Sequence, residues 1–147
     1  MNTQREQLIQ TWISTVLQSD QAEINFLAGD ASFRRYARIH FNNKSFMLMD
    51  APPDKEDCAP FVTIDEFFHE NGVRVPQIIS KDLTQGFLLL EDFGDILLST
   101  LLNDDTVDLY YEQSFKQLIQ LQQIDGIGSF PEYSYEKLIS EMELFTD

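Results

Sequence analysis

Tyr36 to Phe41 alternate, with Ala37, Ile39 and Phe41 on one face and Tyr36, Arg38 and His40 on the other. Only an extended strand sends successive side chains to opposite faces. Asn42-Asn43-Lys44 follows, and asparagine tolerates the positive φ that a tight turn demands. Phe46 to Met49 is then a short apolar run, closed by Pro52-Pro53, since proline has no N–H to offer a ladder. A hairpin of this kind commits the chain to an antiparallel sheet. Ile24 to Leu27 adds a strand upstream, across a polar turn at Gly29-Asp30. The spacing predicts a three-stranded antiparallel meander from Ile24 to Asp50.

Helices flank this meander. Thr3 and Glu6 stand in capping-box spacing, followed by an apolar stripe of Leu8, Ile9, Trp12, Ile13, Val16 and Leu17. That stripe is expected to pack on the back of the sheet. Asp57 can cap a helix that tolerates Pro60 in its first turn. Cys58, Phe61, Val62, Ile64, Phe67 and Phe68 supply its predicted buried side, and Gly72 ends it. Val75 to Ser80 and Gly86 to Glu91 read as a hairpin about Asp82-Leu83-Thr84-Gln85. After Gly94 the pattern turns helical. Asp95 is positioned to cap Ile96 to Leu102, and Asp105-Thr106 opens a helix through Ile124 with Val107, Tyr111, Phe115, Leu118 and Leu121 on one side. Gly126, Gly128 and Pro131 form a loop, and Ser134 caps a last helix through Phe145.

Composition narrows the function classes. Acids outnumber bases 25 to 10, a net charge of -15. Phosphate-backbone binding needs clustered Lys and Arg, so nucleic acid is excluded as the expected partner. The same excess opposes docking to an anionic membrane surface, and it serves solubility. Twelve Phe and one Trp fill a core of ordinary size for 147 residues. Cys58 is alone, so neither an internal disulfide nor a cysteine metal site is expected. Met1 to Leu8 holds no apolar signal core, and no apolar run reaches the ~20 residues of a bilayer span. A cytoplasmic, soluble protein is the expectation.

Three segments carry the chemistry: Gly29-Asp30-Ala31-Ser32-Phe33-Arg34-Arg35-Tyr36, Met49-Asp50-Ala51-Pro52-Pro53 and Gly86-Phe87-Leu88-Leu89-Leu90-Glu91-Asp92-Phe93-Gly94. A turn with Gly and small residues lets backbone N–H groups approach phosphate oxygens. Ser32 adds a hydroxyl, and Arg34 and Arg35 add planar cationic forks. In this order and spacing the chain resembles the aminoglycoside-phosphotransferase-like kinases. It is most similar to the branch of bacterial kinases that phosphorylate the anomeric position of N-acetylmuramate and N-acetylglucosamine in cell-wall recycling. The resemblance runs from the first helix to Glu141-Met142-Glu143-Leu144-Phe145.

The resemblance implies an α+β fold. Residues 1–92 would be an N-terminal helix and a protein-kinase-like small lobe, a five-stranded antiparallel sheet with a packed helix. Residues 93–147 would be the hinge and the first helices of a helical large lobe. It implies ATP and Mg²⁺ as cofactors and a small hydroxylated acceptor as partner. Its catalytic Asp and metal ligands are expected downstream of Asp147, so residues 1–147 are read as the front part of a larger enzyme and as inactive alone. The nucleotide-binding residues it implies are Asp30, Ala31, Ser32, Phe33, Arg35 and Asp50, with the hinge Glu91, Asp92 and Phe93 at the adenine edge. Met47, Leu48 or Met49 would pack on the ring. Rival readings are the same scaffold acting on an aminoglycoside, choline or another metabolite, and a non-enzymatic acidic interaction module.

Several residues depart from the kinase pattern. The third strand, Ser45 to Asp50, lacks the lysine that pairs with phosphates and with a helix glutamate. Lys44 lies in the turn, and Glu66 is the only mid-helix candidate partner. Adjacent strand residues face opposite ways, so only one of Arg34 and Arg35 can face the nucleotide. Arg35 shares the apolar face with Ala37 and Ile39 and needs an anionic partner there, either ATP phosphates or Asp50. Arg34 is expected in solvent. Asp50 either partners the Arg35 cation or caps the Pro52-Pro53 turn. Asp92-Phe93-Gly94 spells the kinase metal triplet but follows a leucine strand rather than a catalytic loop, and is read as hinge. His69-Glu70-Asn71 ends an amphipathic helix, and His40 and His69 form no ligand set. Glu141 and Glu143 fall on different helix faces and are read chiefly as solvated.

Overall fold

The computed structural model describes residues 4–29, 33–126 and 130–143. Two compact units divide the chain, Met1–Leu101 and Leu102–Asp147, and the expected lobe boundary at 92/93 falls inside the first.

Unit one opens with α1 (Gln4–Leu17), then β1 (Glu23–Phe26), β2 (Arg35–Phe41) and β3 (Lys44–Asp50). Helix α2 (Ala59–Glu70) follows, then β4 (Ile78–Asp82), β5 (Phe87–Glu91) and the single turn α3 (Leu98–Leu101). The five strands form one antiparallel sheet in the order β1-β2-β3-β5-β4. The α+β small-lobe architecture expected from the sequence is therefore present. Asn42 and Asn43 take φ of 49° and 60° at the β2–β3 turn, as their tolerance of that region anticipates.

Strand alternation splits the core in two. Ile9 and Ile13 of α1 pack with Ala37, Ile39, Leu48, Phe87 and Leu89 on one face of the sheet, with Trp12 against them. Cys58 and Val62 pack with Met49, Leu88 and Leu90 on the other, with Tyr36, Met47 and Phe61 at the margin. Strand β5 is buried along Phe87 to Leu90, which is why it reads as an unbroken apolar run. Gly86 is required where it stands. Its φ is 72°, and a Cβ there would lie inside the Ala51 carbonyl, to whose neighbouring N–H Gly86 gives its own oxygen at 2.9 Å.

Some sequence expectations shift. Leu8 is exposed, outside the α1 stripe. Thr3 of the proposed capping box lies outside the described residues. Strand β4 begins at Ile78 rather than Val75, because Pro76 cannot donate to the ladder. Helix α2 is rotated from the apolar prediction: Asp65 is buried while Ile64 is 41% exposed. Asp57 does satisfy an amide at its start, accepting from the Ala59 N–H at 2.8 Å. Asp95 does not cap a helix from Ile96, and α3 spans only four residues.

Unit two holds α4 (Val107–Gln122) and α5 (Tyr135–Glu143). Asn103 Oδ1 accepts from the Asp105 and Thr106 amides while Thr106 Oγ1 accepts from the Asn103 amide, a reciprocal cap before α4. Phe115 and Leu118, predicted to face inward, are more than half exposed. Ser134 Oγ accepts from the Lys137 N–H at 3.2 Å, capping α5 as expected.

Candidate functional site

The register places each candidate side chain on a definite face. Arg35 pairs with Asp50, Arg38 with Met47, and Met47 in turn with Leu90. Arg35 and Asp50 therefore belong to the α1 face. Tyr36, Arg38, Met47, Met49 and Leu90 belong to the α2 face. Leu48 lies under α1 and Met49 is fully buried, so Met47 is the one of the three still partly open.

Asp50 is completely buried and holds two arginines. Its Oδ2 accepts from Arg35 Nε at 3.0 Å and Nη2 at 2.6 Å. Its Oδ1 accepts from Arg5 Nε at 2.9 Å and Nη2 at 2.7 Å. Of the alternatives open in the sequence, this is the ion pair: both oxygens face arginines rather than the Pro52-Pro53 turn. Burial of a carboxylate demands such partners. Arg5 was not foreseen. It also donates to the Gln85 carbonyl at 2.5 Å and lies 4.2 Å from the Phe87 ring centroid. A signal existed, because Arg5, Ile9 and Ile13 are spaced by four and share the buried stripe. Arg35 keeps 41% of its side chain exposed, with the Phe26 ring at 5.1 Å.

Arg34 is not simply solvated. Its Nε donates to Glu56 Oε1 at 2.7 Å and its guanidinium lies 5.9 Å from the Phe61 ring. This ties the start of β2 to the approach to α2. Asp30, Ala31 and Ser32 lie outside the described residues. Phe33 is 62% exposed, with Lys55 Nζ 6.0 Å from its ring.

The connection after β5 is fastened by two other arginines. Glu91 accepts from Arg74 at 2.7 and 2.5 Å, and its own N–H donates to the Gln77 carbonyl at 2.9 Å. Arg74 also lies 4.6 Å from the Phe93 ring. Arg38 reaches from β2 across β3. It donates from Nε to Asp92 Oδ2 at 2.7 Å and from Nη2 to Asp92 Oδ1 at 3.2 Å. It donates to Asp95 from Nη1 at 2.6 Å and from Nη2 at 2.8 Å. Burial pushes the Asp92 carboxyl up, but the Gly94 N–H, Arg38 and Ser45 outweigh it and hold it below the usual aspartate range. Arg38 likewise holds Asp95 low, and Arg74 holds Glu91 low. The two Arg38 carboxylates raise the guanidinium's own affinity for its proton.

Other expected pairings resolve differently. Glu66 bonds Lys81 of β4, not a lysine of β3. His40 and His69 are both exposed. Glu141 pairs with Lys137 on its own helix. Among the described residues no group of three or more His, Cys, Asp or Glu is placed to hold a metal ion. The Asp92 carboxylate is already gripped by a guanidinium, an amide and a hydroxyl. The described residues therefore do not fit a Mg²⁺ site. No helix among them is long and apolar enough to cross a membrane.

Comparison with known proteins agrees with this architecture. The phosphotransferase enzyme family profile matches residues 23–146. The N-acetylmuramate/N-acetylglucosamine kinase of Pseudomonas aeruginosa is 40% identical over 126 residues, 86% of this chain and 37% of that protein. The protein of the same name from Neisseria meningitidis is 32% identical over 149 residues, 98% of this chain and 44% of its own. The one from Pseudomonas putida is 39% identical over 120 residues, 82% and 35% respectively. The chain thus spans less than half the length of these relatives.

Proposed function

This chain belongs to the phosphotransferase enzyme family, and we propose that it forms the nucleotide-binding front part of an ATP-dependent amino-sugar kinase. The observation that carries the acceptor is the shared name of its relatives, N-acetylmuramate/N-acetylglucosamine kinase, at up to 40% identity. The reaction joins an acceptor hydroxyl oxygen, at the anomeric carbon, to the γ-phosphorus of ATP. ADP leaves, and the hydroxyl proton passes to a base. Such transfer depends on positioning and charge rather than on covalent intermediates. Magnesium supplies charge neutralisation when bound, and its ligands and the catalytic base belong to the remainder of a longer protein. The exposed apolar side of α4, with Phe115 and Leu118 open, suits burial by further chain.

In this reading residues 30–33 cover the phosphates, and the Arg35–Asp50 pair fixes the start of β2 that follows them. The base meets the backbone after β5. Because the Glu91 N–H is committed to Gln77, the donor to adenine comes from Asp92 or Phe93. The lobe boundary at 92/93 and a cytoplasmic location are part of the same proposal.

The test is phosphoryl transfer by the complete protein, followed by ³¹P NMR. ADP and an anomeric sugar phosphate in equal amounts are the expected products. Turnover of an aminoglycoside or choline with neither amino sugar accepted would reassign the acceptor. One observation favours the non-enzymatic alternative: β3 turns Met47 and Met49, not a cation, toward α2. A complete protein with no thermal shift on adding ATP would establish that reading instead.

A further inference from the structure

Arg38 differs from every other arginine in this chain. Arg5, Arg34, Arg35 and Arg74 each have an aromatic ring against the guanidinium, supplied by Phe87, Phe61, Phe26 and Phe93. Among the described residues no ring lies over Arg38. Its edge is the reverse case. A guanidinium has five N–H donors, and Asp92 and Asp95 take four of Arg38's. Two carboxylates gripping one guanidinium edge-on hold it as a fixed, flat, cationic plate. The side chain keeps 16% of its surface exposed; with the edge taken, what such a plate can still offer a ligand is a face, and that suits a planar π-system.

Its place in the sheet says which ligand. In kinases the third-strand lysine touches both the phosphates and a glutamate of the next helix, so the nucleotide lies on the sheet face that carries that helix. Here that helix is α2, packed on Met49, Leu88 and Leu90. Arg38 shares this face through the line Arg38–Met47–Leu90. The residue that clamps it, Asp92, belongs to the backbone segment assigned to the adenine edge. We propose that Arg38 is the stacking platform of the nucleotide site, its guanidinium face lying against the purine ring that the 92–93 backbone holds by the edge. This rests on the kinase reading above and adds a residue that the kinase pattern does not supply.

The experiment measures binding of ATP and of inorganic tripolyphosphate, which has no base, to the complete protein and to Arg38→Lys. Lysine keeps the charge facing Asp92 and Asp95 but has no flat face. The expected result is a loss of about tenfold in ATP affinity, with tripolyphosphate affinity unchanged. Equal losses for both ligands, or no loss for ATP, overturn the platform while leaving the kinase reading in place. A wild-type protein that binds neither ligand overturns both. Trp12 fluorescence reports whether Arg38→Lys is folded. Should it not be, Asp95→Asn decides, since it frees one side of the plate at an exposed position: a roughly threefold or greater loss for ATP alone supports the platform, and none refutes it.

Discussion

Replacing Arg5 by methionine tests whether α1 is locked to the sheet by charge or merely by apolar contact. Methionine keeps most of the unbranched stem against Phe87 but removes the donors. Asp50 Oδ1 then loses both of its guanidinium bonds, and the Gln85 carbonyl loses another. Asp50 is fully buried, so water does not simply replace them. The buried Asp50 oxygen without its donors costs about 1–3 kcal/mol, and the half-buried Gln85 carbonyl, which water can reach, costs about 1 kcal/mol or less. The lost cation–ring contact adds roughly 0.5–2 kcal/mol. Arg35 stays on Oδ2, which keeps the total below that for a wholly unpaired charge, about 3–5 kcal/mol. We expect about 3 kcal/mol, a fall in Tm on the order of 6–12 °C for a domain of this size. Urea unfolding is the assay, read by Trp12, whose ring lies 5.5 Å from that of Phe87. The denaturant slope should hold while the midpoint falls. Adding Asp50→Asn should cost much less in the Arg5→Met background than in the wild type, with a coupling of at least ~1 kcal/mol. A single-variant loss below about 1 kcal/mol, or strict additivity, refutes the charge lock.

Gly86→Ala should cost about 3 kcal/mol or more, since the new methyl meets the Ala51 backbone at a positive φ; a Tm within about 2 °C of wild type would contradict the close approach. Burial raises the Asp65 carboxyl, with Glu66 adding to it and His69 opposing, so the folded state holds this proton more tightly than the unfolded one. Stability from this group is present below the unfolded pKa and declines as pH rises through the folded value; Asp65→Asn should flatten that decline above about pH 4, and unfolding curves that fall equally in both proteins would disprove it. Asp92 and Asp95 are depressed instead. Their contribution is present above about pH 4 and lost as pH falls through their folded values, so Asp95→Asn should show a shallower acid limb than wild type, and parallel limbs count against the Arg38 clamp.

The sequence exposed the elements whose patterns are local. Alternation through Tyr36–Phe41 and the Asn42-Asn43 turn gave β2 and β3, and the spacing of Ile9, Trp12 and Ile13 gave α1 and the face it covers. What it concealed was long-range. Arg5 and Asp50 are 45 residues apart, and Arg38 and Asp95 are 57 apart. Periodicity can place one partner on a buried face, as the spacing of Arg5, Ile9 and Ile13 does, but it does not say which distant charge the sheet register will bring to it. Asp95 is the clearest case. Its position before an apolar run is that of a helix cap, but bonding a guanidinium at 2.6 and 2.8 Å is stronger than capping a four-residue turn. Helix α2 departs from its hydropathy pattern for another reason. Ile64 is more apolar than Asp65, yet the line set by Cys58, Val62 and Asp65 faces the sheet, and tertiary fit overrode hydropathy.

The missing third-strand lysine becomes intelligible from the same two faces. A lysine at 49 would stand in a fully buried site beneath Cys58 and Val62. The helix glutamate it would need, Glu66, is held by Lys81 on β4. An unpaired ammonium there would be costly, so the absence of the cation and the redirected glutamate are one arrangement rather than two defects. Positive charge is concentrated on the other face. Arg5 and Arg35 share the single carboxylate of Asp50, which leaves one positive charge in excess at the end of β3. Arg35 opens β2 and remains partly exposed. Helix α1, which supplies Arg5, is thereby bonded into the sheet through Asp50 rather than resting on it by apolar contact alone.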